Sequence, residues 1–461
     1  GCGGGGGGSS SDTVGGGTVT PTPSGNQACT LRARQDWAGQ QLREWYLFPE
    51  TLPASLDPSP YASVASYVDA LTAGARAQGR DRYFTYVTSI AQEEAYYASG
   101  QSAGFGVRFK YDEGTRRVFV SEGFEGTTGL TAGLDRGTEI LAIGTSSSNL
   151  RSTADILAAD GQAGFVNALG PGATGTTRTF RIRNGAGERI VSVTKSDYTL
   201  TPVSARYGSR MIDDGGRKVG YVNLRTFISS ADPALRQAFD TFRAQGITDL
   251  IVDLRYNGGG LISVAETLGN LLGGNRRPND VFAQVLHRPE KSSRNRITYF
   301  TPQAQSVSPR RIAFIGTDAT ASASELVINA MIPYLHADVA LIGGNSYGKP
   351  VGQNAILRAG CLDRVRGLAL KTINAAGQGD YYNGLATLLE KTCAARDDID
   401  HALGDPQEAS IRVALDFLAS RPCTPIAGAS AGIRTQAVTG VAGAEGHLVV
   451  PGQPATPQRG G

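Results

Sequence analysis

The chain has 461 residues and a formal net charge of +3 at pH 7, enough length for about two or three domains around a sizeable core. Its charge is spread without a basic block, which argues against a nucleic-acid partner, and no apolar run is long enough to span a bilayer as a helix. Only four histidines are present, none beside a candidate nucleophile, so a hydrolase here needs a base other than histidine.

Residues 1–26 are rich in Gly, Ser, Thr and Pro and read as a flexible tether. Cys2 stands at its head, followed by Gly3 to Gly8 and Ser9 to Ser11. A lone cysteine before such a tether resembles the lipid-modified first residue of a mature bacterial lipoprotein, with Gly1 as the last residue of a signal peptide. The competing reading is a stray thiol in a disordered tail. By the same resemblance, Gly3 in place of an aspartate points to the outer membrane and a periplasmic location.

Residues 28–100 read as a helical domain. Trp37, Leu42, Trp45 and Tyr46 recur at near-helical spacing, and Tyr61 to Ala75 forms another amphipathic stretch. Nothing in this segment indicates chemistry.

Residues 103–200 read as short strands around one helix. Phe105 to Phe109 and Arg117 to Val120 alternate as strands do, a helix starts near Thr153, and Thr179–Arg183 and Ile190–Val193 flank the hairpin-like turn Asn184-Gly185. This order resembles a PDZ domain, and Gly104-Phe105-Gly106-Val107 resembles its carboxylate-binding loop. The resemblance implies peptide binding, in which backbone N–H groups receive a C-terminal carboxylate while a strand edge pairs with the peptide. A β-rich spacer without a ligand is the alternative.

Residues 205–425 alternate strand and helix, which implies an α/β core. Strands are expected at Val219–Leu224, Leu250–Leu254, Ile312–Ile315 and Val339–Ile342, with Asp232-Pro233 capping and opening a helix. Residues 426–461 are Gly-, Ala- and Pro-rich and read as a low-complexity tail.

Four cysteines remain near or within these segments: Cys29, Cys361, Cys393 and Cys423. They can form two disulfides in an oxidising, extracytoplasmic compartment. The preferred pairing is Cys361 with Cys393, leaving Cys29 with Cys423 to join the ends. No CxxC or paired-histidine spacing accompanies them, so neither a metal nor a cofactor is expected.

The chemistry concentrates in three short segments. Thr320-Ala321-Ser322-Ala323-Ser324-Glu325 follows an apolar strand, so Ser322 falls at a strand-to-helix turn where a side chain projects into a cleft. A serine hydroxyl is a poor nucleophile until a base takes its proton. Thr320, Ser322 and Ser324 are also common helix caps, so the turn alone decides little. Tyr347-Gly348-Lys349-Pro350 supplies a candidate base. Bringing a lysine from a pKa of about 10.4 to about 7 takes roughly 4–5 kcal/mol of environmental destabilisation, which burial can provide. Asn257-Gly258-Gly259-Gly260 offers unhindered amides of the kind an oxyanion hole uses.

Asp253-Leu254-Arg255-Tyr256-Asn257-Gly258-Gly259-Gly260, the serine turn and Tyr347-Gly348-Lys349 together resemble the three signature segments of C-terminal processing (tail-specific) serine peptidases. Gly220 to Leu224 resembles the strand that opens their catalytic core. The resemblance covers about residues 30–425 and implies a Clp-protease/crotonase-like core beside the PDZ-like domain and the helical segment. It implies Ser322 as nucleophile and Lys349 as general base. Gln353 would orient the lysine, and the amides of Gly259 and Ala323 would form the oxyanion hole, with Gly258 the competing choice. The expected function is a serine endopeptidase cleaving proteins near a free C-terminus, anchored to a membrane through Cys2. The other reading is a catalytically inactive peptide-binding or scaffold protein. Two departures stand out: Pro333 occupies a place where some members carry an aspartate, and the serine–lysine interval is slightly long, with Leu335 to Asp338 the place of an insertion.

Overall fold

The computed structural model describes residues 29–427 apart from 359 and 362. Cys2, the tether and residues 428–461 lie outside the described residues, so the lipid-anchor expectation concerns a segment without a structural account.

The core is a six-stranded sheet in the order Ser209–Asp214, Arg217–Asn223, Asp249–Asp253, Arg311–Gly316, Val339–Gly343, Lys391–Ala394. The first pair is antiparallel and every later pair is parallel. Parallel neighbours require crossover connections, and helices lying on both faces make the inner strands apolar along most of their length. Alternation decides which face each side chain meets. Leu250, Val252, Ile312, Phe314, Val339 and Leu341 pack against the helices Ala231–Ala244, Ile262–Leu271 and Ala323–Leu335. Tyr221, Ile251, Ala313, Ile315 and Ile342 pack against the helix Ala409–Leu418 on the opposite face. The four expected core strands are all present. The expected cap is displaced: the helix starts at Ala231 after Ser230, which places Asp232 and Pro233 inside its first turn.

A second sheet builds on the long strand Asp363–Ile373, which pairs with Tyr86–Ser89, Val281–His287 and Val351–Leu357. The N-terminal helical segment contributes the strand Tyr86–Ser89 to this sheet. Ala38, Leu42, Val64 and Val68 of the N-terminal helices share one core with Val351, Val365 and Leu368. The segment therefore shares its interior with this second sheet.

Residues 101–199 form a β-rich unit. Five strands lie in the order Val107–Asp112, Arg117–Gly123, Glu139–Gly144, Thr177–Asn184, Gly187–Thr194, with the helix Thr153–Ala168 against them. The last two strands make the expected hairpin, with Asn184 opposite Gly187. Val107–Asp112 pairs only with Arg117–Gly123 among the described strands, so its outer edge is open.

The disulfides are Cys29–Cys361 and Cys393–Cys423, not the pairing expected from the sequence. After the helix Ala409–Leu418 the chain returns along the edge strand Lys391–Ala394, where Ala394 N donates to Thr424 O at 2.7 Å. That return brings Cys423 to Cys393. Cys29 precedes the helix Leu31–Trp45, which lies against the strand Asp363–Ile373, and Cys361 sits in the turn just before that strand. Sequence separation carries no information on either neighbourhood.

Candidate active site

The serine turn is fastened to the glycine loop beside it. Thr320 Oγ1 donates to Leu254 O at 2.8 Å, Ser324 Oγ donates to Asn257 O at 2.9 Å, and Ala321 N donates to the same Asn257 O at 3.0 Å. Two of the three hydroxyls in the turn thus serve as anchors, which leaves Ser322 as the candidate for chemistry. Ser322 is the N-cap of the helix Ala323–Leu335 and adopts φ 55°, ψ −112°. A positive φ is strained for a residue with a Cβ, and such strain persists only where the surroundings over-determine it.

Those surroundings centre on Glu325, a fully buried carboxylate. Its Oε2 accepts from Ser322 N at 2.9 Å and from Lys349 N at 2.8 Å. Its Oε1 accepts from Gly348 N at 2.7 Å and Ser346 Oγ at 2.6 Å. One side chain therefore joins the serine turn to the lysine turn. Burial pushes the Glu325 carboxyl above its ordinary range, against the pull of these donors. In the sequence Glu325 is a glutamate in a first helical turn, which capping alone accounts for.

Lys349 follows Gly348, whose φ of 90° and close approach to Tyr382 O leave no room for a side chain. Its Nζ donates to Gln353 Oε1 at 3.4 Å, and Gln353 Nε2 donates in turn to Phe84 O. The amine also lies 5.0 Å from the centroid of the Phe84 ring. Burial lowers the Lys349 pKa to about 8, outweighing the opposing charges of Asp81 and Glu325. The structure thus brings Gln353 to the lysine as expected. Among the described residues no hydrogen bond joins Lys349 Nζ to Ser322.

The glycine loop lies directly against Ser322. A Cβ on Gly259, which has φ 104°, would come within 2.7 Å of Ser322 Cβ and 2.9 Å of Ala323 N. Its N–H, however, donates to Asn257 Oδ1 at 2.9 Å. The expected role of the Gly259 amide is therefore displaced in this conformation, because the Asn257 side chain takes the donor. No described hydrogen bond engages the N–H of Gly258 or of Ala323, so these two amides are the open donors of the loop and the turn. Ala323 is the first helical residue, where an unsatisfied N–H and the helix dipole both favour a developing negative charge.

Three groups that the sequence reading passed over complete the cluster. Phe84 backs the lysine, Arg82 donates to the carbonyls of Tyr347 and Gly348, and Asp81 fixes their loop by accepting from Phe84 N at 2.7 Å and Thr85 Oγ1 at 2.7 Å. All come from the N-terminal segment. Their only sequence signal was a polar stretch after a helix, which occurs in most loops.

The loop Gly104-Phe105-Gly106-Val107 belongs to the β-rich unit rather than to the Ser322 cluster. Phe105 is buried edge-on against Phe180, and Phe105 O accepts from Gly129 N at 2.9 Å. Gly106, at φ 71°, turns its carbonyl inward to Phe124 N at 2.9 Å. No described hydrogen bond engages the N–H of Phe105 or Gly106, and Val107 begins the open edge strand. The unit meets the core through Arg136, which donates to Tyr256 Oη at 2.9 Å, one residue ahead of the glycine loop.

Residues 218–371 match the sequence model of peptidase family S41. That segment is an S41 peptidase domain, and it contains the serine turn, the glycine loop, Lys349 and Gln353. A chloroplastic C-terminal processing peptidase of Tetradesmus obliquus is 26% identical over 269 residues, 56% of this chain and 53% of that one. A carboxyl-terminal-processing protease of Synechocystis sp. strain PCC 6803 is 24% identical over 258 residues, 56% of this chain and 55% of that one. The chain spans about half the length of these curated relatives. A solved chain from Bacteroides fragilis NCTC 9343, designated an S41 protease, superposes with a TM-score of 0.62 at 20% identity, over 83% of this chain and 97% of that one. The two share a fold.

Proposed function

We propose that the protein is a serine-type peptidase in which Ser322 is the nucleophile and Lys349 the general base. The observation that carries this reading is Glu325, whose buried carboxylate binds the main chain of both residues. A neutral Lys349 amine accepts the hydroxyl proton as Ser322 Oγ attacks the scissile carbonyl, and Gln353 holds the amine in place. The tetrahedral oxyanion is received by Ala323 N–H and a glycine-loop amide. The Gly258 amide is open, and the Gly259 amide becomes so if Asn257 releases it. The lysine ammonium then protonates the leaving amine, and water, activated by the same base, releases the acyl group.

The substrate class proposed is protein with a free C-terminus, received by the β-rich unit as a PDZ-like module. The open edge of Val107–Asp112 and the unengaged amides of Phe105 and Gly106 support strand addition with carboxylate capture. The two disulfides support an oxidising, extracytoplasmic compartment. A lipid anchor on Cys2 and a periplasmic, outer-membrane location extend that reading.

Cleavage of an unfolded test protein by the wild-type chain and by Ser322→Ala and Lys349→Ala tests the chemistry. Loss in both folded variants is expected, and unchanged cleavage in either overturns it. Binding of a peptide to Ser322→Ala, with its C-terminus free or amidated, tests the module. Equal affinity for the two peptides removes the carboxylate reading. One observation favours the alternative of an inactive binding protein: Lys349 Nζ is bonded to Gln353 and not to Ser322. Catalytic hydrogen bonds are often long before substrate binds, so the cleavage assay decides between the two.

A further inference from the structure

Arg82 stands between the N-terminal helices and the lysine turn. Its Nη2 donates to Tyr347 O at 2.9 Å, Gly348 O at 2.5 Å and Tyr382 O at 3.2 Å. Tyr347 and Gly348 are the two residues ahead of Lys349, so the guanidinium grips the main chain that carries the amine. It also lies 4.3 Å from the centroid of the Tyr347 ring and 5.5 Å from that of Phe84. Lys349 Nζ sits 5.0 Å from the same Phe84 centroid. One aromatic ring therefore faces two cations.

Arg82 differs from the other interior arginines. Arg225 pairs with Glu122, Arg255 with Asp253 and Glu408, and Arg364 with Glu93. Arg82 forms no salt bridge with a described carboxylate, and its Nε is buried without a hydrogen-bond partner. A partly buried cation without a counter-charge is unfavourable, and here it is spent on three carbonyls of the turn that holds the base.

We propose that Arg82 is a positioning residue for Lys349: it fixes the Tyr347–Lys349 turn and holds an unpaired positive charge beside the amine. The proposal rests on Lys349 as the general base. Four charged groups face that amine. Asp81 and Glu325 favour the ammonium, while Arg366 and Arg82 oppose it. Asp81 is committed to Tyr46 Oη and to donors of its own loop, Glu325 to its four donors, and Arg366 to Glu93. Of the two cations, Arg366 is paired with Glu93, whereas the described partners of Arg82 are neutral carbonyl oxygens.

The test uses the full chain with Arg82→Met and Arg82→Lys. Acylation of Lys349 by acetic anhydride, followed against pH by mass spectrometry, reports the amine directly. The expected result is an upward shift of the Lys349 midpoint by roughly half a unit or more in Arg82→Met, and little shift in Arg82→Lys, which keeps the charge. Protein cleavage is expected to fall about tenfold or more in kcat for both variants with KM nearly constant, because an ammonium cannot reproduce the planar grip. An unmoved Lys349 midpoint in folded Arg82→Met overturns the proposal, and Arg82→Gln supplies the neutral variant if Arg82→Met does not fold. Labelling reads the amine whether or not the chain cleaves anything. A wild-type chain that labels as described yet leaves every test protein intact overturns the peptidase reading, and with it any catalytic role for Arg82, while the effect of Arg82 on the Lys349 amine stands.

Discussion

Ser322 and Lys349 give their main-chain N–H groups to a single atom, Glu325 Oε2, at 2.9 and 2.8 Å. The Ser322 turn and the Lys349 turn are thereby fixed to each other through one buried oxygen, before any side-chain contact between the two residues. Removing that oxygen should separate them.

Glu325→Gln keeps one carbonyl oxygen and turns the other acceptor into a donor facing N–H groups. We expect kcat to fall by about 100-fold or more with a small change in KM, since geometry is lost and binding is not. Glu325→Ala leaves several buried donors without acceptors and should lower unfolding free energy by about 2–4 kcal/mol. Steady-state kinetics and chemical denaturation check the two effects. Full activity in folded Glu325→Gln would remove the carboxylate from the account.

Gly259→Ala places a methyl 2.7 Å from Ser322 Cβ at a backbone φ of 104°. The strain should cost about 1–2 kcal/mol of stability, but the crowding falls on the nucleophile, so activity should drop by about 100-fold or more. Gly258→Ala meets open space and should fold as the wild type does. Thermal melts beside cleavage rates separate the two positions.

The pH dependence follows from Lys349. Its amine must be neutral to act as a base, so kcat/KM should rise with pH through a midpoint near 8. Stability has its own sign. The folded pKa lies below the unfolded value of about 10.4, so the unfolded chain binds more protons between the two and stability rises with pH across that window. Below pH 8 the folded state carries the full penalty of a buried ammonium. Lys349→Met should therefore be inactive yet more stable than the wild type by about 1–3 kcal/mol below pH 8, with the gap closing toward pH 10.5. Denaturation curves at several pH values would reveal a gap of the wrong sign.

Paired Cys393→Ser and Cys423→Ser open a cross-link spanning 30 residues, and the unfolding free energy should fall by about 3 kcal/mol in the chain-entropy model. The link joins the edge strand Lys391–Ala394 to the segment after the helix Ala409–Leu418, and no described contact ties it to Ser322, so kcat at moderate temperature should hold. A large loss of kcat in a folded variant would tie this edge to the site.

The parallel core was legible because strands such as Leu250-Ile251-Val252 are buried on both faces and read as unbroken apolar runs. Ser322, Lys349 and Gln353 were legible because three short segments keep recognisable residues in order. Glu325 was visible as a letter but not as a tie, since a glutamate in a first helical turn is common for reasons of capping alone. Arg82, Phe84 and the disulfide partners were not legible. Their positions depend on how residues 29–100 lie across the sheet built on Asp363–Ile373, and that docking follows from tertiary packing with no local signature. The bond from the Gly259 amide to the Asn257 side chain was not legible either, since an asparagine two residues ahead of a glycine is common in turns of every kind.

The acceptor at Glu325 also determines when this chain can become reactive. Its partners come from the serine turn and the lysine turn, while the lysine amine is backed by Phe84 from the opposite end of the chain. A nascent chain holds these pieces apart. Its serine is then an ordinary alcohol and its lysine an ordinary cation. The proposed dyad is assembled only when the last of these contacts closes, so a chain still being made carries no activated serine.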